Sequence, residues 1–510
     1  MVPGTGLSIA SWFVADDTEP KKDYEAPAGA ETKGSWNGGS KPVDYTATAK
    51  FYVLRKKEKP SAELFSASYV ADGGDMSRPV SFVFNGGPGA SSAYLHMGAV
   101  GPQRVDFPAD GTLPPLPPKL VENESSWLAF TDLVFVDPVG TGFSRIVEED
   151  GKQDEKKDGD AKKPEDEYFG PKRDLESLCE FMTRWLSENG RWGSPIFIAG
   201  ESYGGYRVGR LVRMLQEDAG IGLNGAILIS PALELGGLDM NDYGVVQWVD
   251  VLPTMAGAAA HHGRGRALPA GSSLDEVRTA AEEFAAGDYS KFLVLGASLD
   301  ASERERILSR LADFLGLPVD FVTRAEGRVG QEVFARELLR DVRKVVGFYD
   351  ATITTTDPFP DRTGHEAPDA TLAGIAASYT AAVNRQLRSE IGVETDRDYR
   401  LLSHEVNQAW KEDSKKHFFE SPDGATDTFR YGMALNPHMR AFICHGRFDM
   451  VTPYYTTDRL RNLMRLDPDT AARLTVQHFD GGHMFYAWED SRHAFTAAIS
   501  QFYENALAGG

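Results

Sequence analysis

The segment IFIAGESYGG (196–205) constrains the fold more than any other stretch of the chain. Its first four residues are apolar and read as a short strand buried on both faces. Past the glycines, Val208, Leu211, Val212 and Leu215 recur at i, i+3, i+4 and i+7, the stripe of an amphipathic helix. A strand that enters a helix through Gly-x-Ser-x-Gly must turn sharply at the serine, and side chains at the glycine positions would collide with the adjoining strand or helix. The turn lifts the Ser202 hydroxyl above the sheet edge and aims the amide of Tyr203 at the same point. The helix N-terminus adds a partial positive charge where an oxyanion would form. An ordinary glycine turn accounts for the motif alone, but not for its flanks.

The same strand signal recurs in VSFVF (80–84), LVFV (133–136), AILIS (226–230), AFIC (441–444) and LTV (474–476). Helical patterns lie between several of these runs, so the expected architecture is α/β with a mainly parallel sheet. Tyr45 to Tyr69 alternates apolar residues with β-formers, the pattern of an antiparallel meander. Residues 1–40 are rich in Gly, Pro, Ala and charge and read as a flexible extension. The sheet domain then occupies 41–234 and 431–510. It is broken at 148–167 by a solvated run of Glu, Asp, Lys and Gly. A mostly helical insertion at 235–430 is expected to cap the sheet. No internal repeat is present.

Serine needs a base, and the base must itself be oriented. An α/β hydrolase supplies these in the chain order Ser, acid, His. Asp449 follows the apolar run AFIC in a Gly446-to-Pro453 loop, and His483 follows LTV on a loop opened by Gly481 and Gly482. Asp480, His445 and His478 also stand near these strand ends as competitors. A second glycine loop, Asn85-Gly86-Gly87-Pro88-Gly89, follows VSFVF. It lacks the Gly-Lys-Ser/Thr ending of a phosphate loop and the spacing of a dinucleotide fingerprint. It suits the other oxyanion donor, with Gly86 and Gly87 allowing close backbone approach.

Composition narrows the partners. The chain of 510 residues has 41% hydrophobic and 25% charged residues, a balance that supports a sizeable core. Its net charge of −21 argues against nucleic acid and anionic membranes as partners. Two cysteines exclude a disulfide scaffold and Cys₄ zinc sites. No run of about 18 apolar residues is present. The start lacks the basic–apolar–small layout of a signal peptide, so a cytoplasmic location is expected, or a secreted or periplasmic one if a leader was trimmed. His261-His262 and His365-Glu366 do not form His-Glu-x-x-His, so no metal and no cofactor are expected.

Taken together, NGGPGASS (85–92), DPVGTGFSR (137–145), GESYGG (200–205), the Gly446-x-x-Asp449-x-x-x-Pro453 turn and GGHM (481–484) resemble the serine carboxypeptidase family, peptidase family S10. The likeness covers about 80–230 and 435–500. It implies an α/β-hydrolase fold with a helical insertion and release of C-terminal residues from a peptide substrate. By resemblance, Ser202 is the nucleophile, His483 the general base and Asp449 its orienting acid. Gly87 and Tyr203 are then the backbone oxyanion donors. Asn85, Gly86 and Glu201 grip the substrate's terminal carboxylate, with Glu201 protonated so that it donates a hydrogen bond. Better-known members carry a second glutamate two residues before the Gly-Pro that follows the glycine loop. Here Ala99 precedes Gly101-Pro102, so the paired carboxyl and the basis for strong acid preference are absent. Ala90 stands where many members have cysteine, and the chain resembles a disulfide-poor, prokaryote-like branch. Cys179 and Cys444 read as buried thiols.

An esterase or acyltransferase would use the same residues, and a non-catalytic hydrolase-fold binding protein is the remaining alternative. Tyr94, Tyr203 and Tyr206 are candidate pocket walls.

Overall fold

The short apolar runs form the middle of a ten-stranded sheet. The structure is a computed structural model describing residues 24–147, 167–238, 240–362, 369–411 and 424–508. The strands are β1 (Ala30–Trp36), β2 (Val43–Lys56), β3 (Lys59–Ala71), β4 (Val80–Phe84), β5 (Asp132–Asp137), β6 (Arg145–Ile146), β7 (Ile196–Glu201), β8 (Gly225–Ile229), β9 (Arg440–Gly446) and β10 (Leu474–Phe479). They lie in the order β1-β2-β3-β5-β4-β7-β8-β9-β10, with β6 paired to β3. Pairing is antiparallel through β1, β2, β3 and β5, and parallel from β5 across to β10.

Among the helices, α1 (Pro171–Glu188), α2 (Tyr203–Glu217), α3 (Val246–His261), α4 (Leu372–Asn384), α5 (Thr426–Leu435) and α6 (Glu489–Leu507) matter here. Successive strand residues point to opposite faces, which explains the unbroken apolar runs. Ile196 and Ile198 pack with Leu178 and Trp185 of α1 and Leu211 of α2. Phe197 and Ala199 pack on the other face with Phe502 and Tyr503 of α6. The fold is an α/β hydrolase, with the functional loops at the C-terminal ends of β4, β7, β9 and β10.

Several boundaries differ from expectation. The extension expected over 1–40 ends early, because β1 runs beside β2 from Ala30–Ala49 to Trp36–Val43. Its side chains alternate between half-buried and exposed, and Gly34 leaves room for the ring of Tyr45. Small and charged residues fit such an edge strand, so composition did not mark it. Residues 1–23 and 148–166 of the expected extension and charged loop lie outside the described residues.

The insertion is also less uniform than a cap. Trp248, Leu252, Leu308, Phe334 and their neighbours form a core of their own. By contrast, Ile375, Tyr379, Leu387, Tyr399 and Leu401 join the core of the sheet domain. The expected boundary at 430 falls inside α5, whose Phe429 and Met433 pack with α2. A small antiparallel pair, Lys344–Val346 with Thr354–Thr356, brings the intervening chain toward the site.

Candidate active site

Strand β7 enters α2 through Ser202, whose φ of 62° is unusual for a residue with a side chain. The glycines make the turn possible. A Cβ on Gly200 would lie 2.1 Å from the Gly204 carbonyl oxygen, and one on Gly205 would lie 2.3 Å from Pro231 Cβ. The Ser202 amide donates to the Ile229 carbonyl at 2.9 Å, and its carbonyl accepts from Gly205 and Ala232 at 2.8 and 3.1 Å. The turn is thus tied to the end of β8.

The glycine loop after β4 lies directly against this turn. A Cβ on Gly86 would stand 2.4 Å from the Tyr203 amide nitrogen. Gly87 adopts φ 97°, in the region that favours glycine. Arg207 on α2 braces the loop from beneath. Its Nη1 donates to the Asn85 carbonyl at 2.6 Å, while Nε and Nη2 bind the buried Asp174 carboxylate at 2.7 and 3.1 Å. Desolvating this pair would be costly without those matched partners.

Asp449 is fully buried in the loop after β9. Its Oδ1 accepts from the Val451 and Thr452 amides at 2.8 and 3.1 Å, and its Oδ2 accepts from Thr452 Oγ1 at 2.6 Å. Oδ2 also pairs with His483 Nδ1 at 2.7 Å. Burial disfavours a charged imidazole, but the Asp449 carboxylate outweighs it, with help from Glu201, and raises the His483 pKa.

The histidine backbone is held from elsewhere. The His483 amide donates to the Tyr349 carbonyl at 2.6 Å, and Ser230 Oγ donates to the His483 carbonyl at 2.9 Å. Asp350 Oδ2 accepts from the Gly482 amide at 3.0 Å and from Trp488 Nε1 at 3.2 Å. The Tyr349 ring meets the imidazole edge-on at 5.3 Å.

Ser202, His483, Glu201, Asn85, Gly86, Gly87 and Tyr203 all line one cavity of about 270 Å³. Asp449 sits behind His483. Burial, partly opposed by His483, pushes the Glu201 carboxyl up to about 7. Asn85 Nδ2 donates to Glu201 Oε1 at 3.1 Å and Tyr486 OH donates to Oε2 at 2.6 Å. The remaining wall is largely apolar, with Leu235, Leu238, Leu402, Trp410 and Met484. Tyr94 and Tyr203 line the cavity, whereas Tyr206 stacks behind Tyr203 at 4.9 Å.

The competing residues have other partners. His445 is buried against the Thr452 carbonyl and Thr457 Oγ1. His478 pairs with Asp458, and Asp480 faces Arg278 and Arg447. His262 bonds the Ala351 carbonyl, and His365-Glu366 lies outside the described residues. Among the described residues no cluster of ligands could hold a metal, and both thiols are buried and free. A second cavity of about 490 Å³, around Gly263–Ser272 in the insertion, includes none of the candidate residues.

Several supporting residues escaped the sequence reading, Arg207 among them. Ser230 and Thr452 stand within segments already marked by strand endings, and Tyr486 follows the histidine by three positions. Tyr349 and Asp350 carry no local signal, because their role comes from where the insertion returns to the sheet.

Residues 41–237 match the family model described as serine carboxypeptidase. A stretch of 161 residues is 33% identical to serine carboxypeptidase-like 36 of Arabidopsis thaliana, covering 30% of this chain and 28% of that protein. Another of 133 residues is 37% identical to the pheromone-processing carboxypeptidase KEX1 of Saccharomyces cerevisiae, covering 26% of this chain and 16% of the relative. The chain therefore spans under a third of the length of these two curated relatives. The fold extends further: the crystal structure of a prohormone-processing carboxypeptidase from Saccharomyces cerevisiae superposes with TM-score 0.54 at 15% identity, over 90% of this chain and 92% of that one. Asp449 and His483 lie beyond the segment matched by the family model. Among the described residues no helix is long and apolar enough to cross a membrane.

Proposed function

We propose that the chain, whose residues 41–237 match the serine carboxypeptidase family model, is a serine-type carboxypeptidase that releases C-terminal residues from peptides. The observation that carries this reading is the shared cavity. A serine on a strained turn, an imidazole backed by a buried aspartate and a high-pKa carboxyl all open into it.

In the proposed reaction, Ser202 Oγ attacks the last peptide carbonyl and its proton passes to His483 Nε2, since Nδ1 is engaged by Asp449. The amides of Gly87 and Tyr203 hold the oxyanion. His483 then returns the proton to the departing amino group, which leaves as a free amino acid. Water, deprotonated by the same imidazole, cleaves the acyl-enzyme and restores Ser202. Asn85, the Gly86 backbone and a protonated Glu201 receive the terminal carboxylate. An ionised Glu201 would repel it in a low-dielectric site. The base must be neutral and Glu201 protonated, so activity on free acids falls on both sides of a pH window.

The apolar wall also fits an apolar acyl group, which keeps an esterase as the second reading. Turnover of a blocked dipeptide, its C-terminal amide and its methyl ester separates the two. Preference for the free acid over the amide by roughly 10²-fold or more is expected of a carboxypeptidase, given the value of matched charge-assisted hydrogen bonds. Ester hydrolysis with no release of amino acid from the free acid would refute the proposal.

A further inference from the structure

We propose that Tyr486 is a positioning residue that holds Glu201 and thereby sets the upper pH limit for recognising a free C-terminal carboxylate. The proposal rests on the carboxypeptidase reading above and deepens it.

The geometry begins with what is missing beside Glu201. Gly98 and Ala99 are buried and offer no side chain longer than a methyl group. A Cβ on Gly98 would lie 2.4 Å from Tyr379 OH and 2.8 Å from Tyr486 Cε2. Two tyrosine rings therefore occupy the space that a side chain at this turn would fill. Tyr486 is fully buried, and its hydroxyl reaches Glu201 Oε2 at 2.6 Å.

The other oxygen is also engaged by a donor. Asn85 Oδ1 accepts from the Leu95 amide at 3.0 Å, which turns Nδ2 toward Glu201 Oε1. Both bonds favour the ionised carboxylate, while burial favours the neutral acid and dominates. From the catalytic loops, His483 favours ionisation and Asp449 opposes it. The hydroxyls of Tyr94, Tyr349 and Tyr379 and the Cys444 thiol surround the carboxyl, and each is itself pushed up by burial first and by Glu201 among the charges nearby. Tyr94 OH and Tyr379 OH have no hydrogen-bond partner among the described residues, whereas the Tyr486 hydroxyl is bonded to Glu201.

Removing the Tyr486 hydroxyl withdraws a donor from the charged form. Glu201 then keeps its proton to higher pH, and free acids remain substrates there. The test is the ratio of kcat/KM for a blocked dipeptide to that for its methyl ester, followed from pH 5 to 9. In the wild type this ratio should fall above about pH 7, where Glu201 ionises. In Tyr486→Phe the fall should move up by about half a unit or more, roughly a threefold higher ratio on the descending limb. Gly98→Ala pushes the same ring away and should move the limb the same way, which covers the case in which Tyr486→Phe fails to fold. Tyr379→Phe should leave the limb in place. A folded Tyr486→Phe protein that labels normally with a fluorophosphonate, yet keeps the wild-type ratio profile, overturns the inference. A wild-type enzyme that cleaves the ester and never the free acid overturns the carboxypeptidase reading instead.

Discussion

The serine turn and the histidine loop open into one cavity but take their shapes from different ranges of the chain. The serine turn is built from its own glycines and the end of the adjacent strand β8. Gly200 faces Gly204, Gly205 faces Pro231, and the bonds around Ser202 run to residues at the end of the adjacent strand. The histidine loop is instead clasped by residues from distant segments. Gly482 stands where a Cβ would meet the Tyr349 carbonyl oxygen at 2.1 Å and Asp350 Cβ at 2.4 Å. Ser230, Thr452 and Asp449 complete the clasp from two other strand ends. The bonds that fix the nucleophile run within its own turn and to the neighbouring strand. A base fixed by tertiary contacts depends on the insertion being in place.

The largest effect should come from Ser202→Ala. Loss of the hydroxyl should cost roughly 10⁴-fold or more in kcat. The local origin of the turn adds a second expectation: stability should change little, since alanine makes the same backbone bonds. Peptide turnover and denaturant unfolding measured together check this. A variant that keeps more than a tenth of the activity would remove Ser202 from the chemistry.

Glu201 lies between the two regimes, because its backbone belongs to β7 but its environment comes from Asn85, Tyr486 and His483. Its carboxyl is raised from 4.5 to about 7. Between these values the folded chain holds a proton that the unfolded chain has released. This group therefore makes folding less favourable as pH rises through that window, by up to ~3 kcal/mol if the whole shift is realised. Glu201→Gln removes the titration. Its stability relative to the wild type should rise from pH 4.5 to 7 and stay level on either side. Gln also turns its NH2 group toward one of the two donors, Asn85 Nδ2 or the Tyr486 hydroxyl, which adds an offset independent of pH. Urea unfolding across pH reads the slope, and a level difference throughout would place the Glu201 ionisation elsewhere.

The same division governs how much the sequence discloses. VSFVF, LVFV and IFIA announce their strands because burial on both faces leaves an unbroken apolar run. Ser202 and its glycines are legible because turn chemistry and helix periodicity are local. The edge strand Ala30–Trp36 was hidden, since backbone pairing holds it and its side chains stay partly exposed. Asp449 and His483 could be picked out by chain order and strand ends, although their pairing is a tertiary fact. Tyr349 and Asp350 could not, because neither periodicity nor spacing says which part of a helical insertion returns to the sheet. Arg207 looks in sequence like another polar position of an amphipathic helix, yet it is buried beneath the glycine loop.

Asp350 offers the smallest and most selective test of the contrast. Its four bonds all come from donors: the Thr352 amide and hydroxyl on Oδ1, and the Gly482 amide and Trp488 indole on Oδ2. An asparagine would turn an N–H toward one of these pairs, so Asp350→Asn should behave much like Asp350→Ala. Burial also pushes the Asp350 carboxyl up to about 6, and below that pH the neutral acid binds the four donors less well. Either substitution should loosen the loop carrying His483 while leaving the serine turn intact. Rates should fall about tenfold in kcat with KM nearly unchanged, the scale of ~1–2 kcal/mol expected when a buried donor loses its acceptor. Fluorophosphonate labelling, which also needs the base, should slow by a similar factor. Wild-type labelling in both variants would mean that the loop holds its shape without the Asp350 carboxylate, leaving the Tyr349 carbonyl as the insertion's hold on the base.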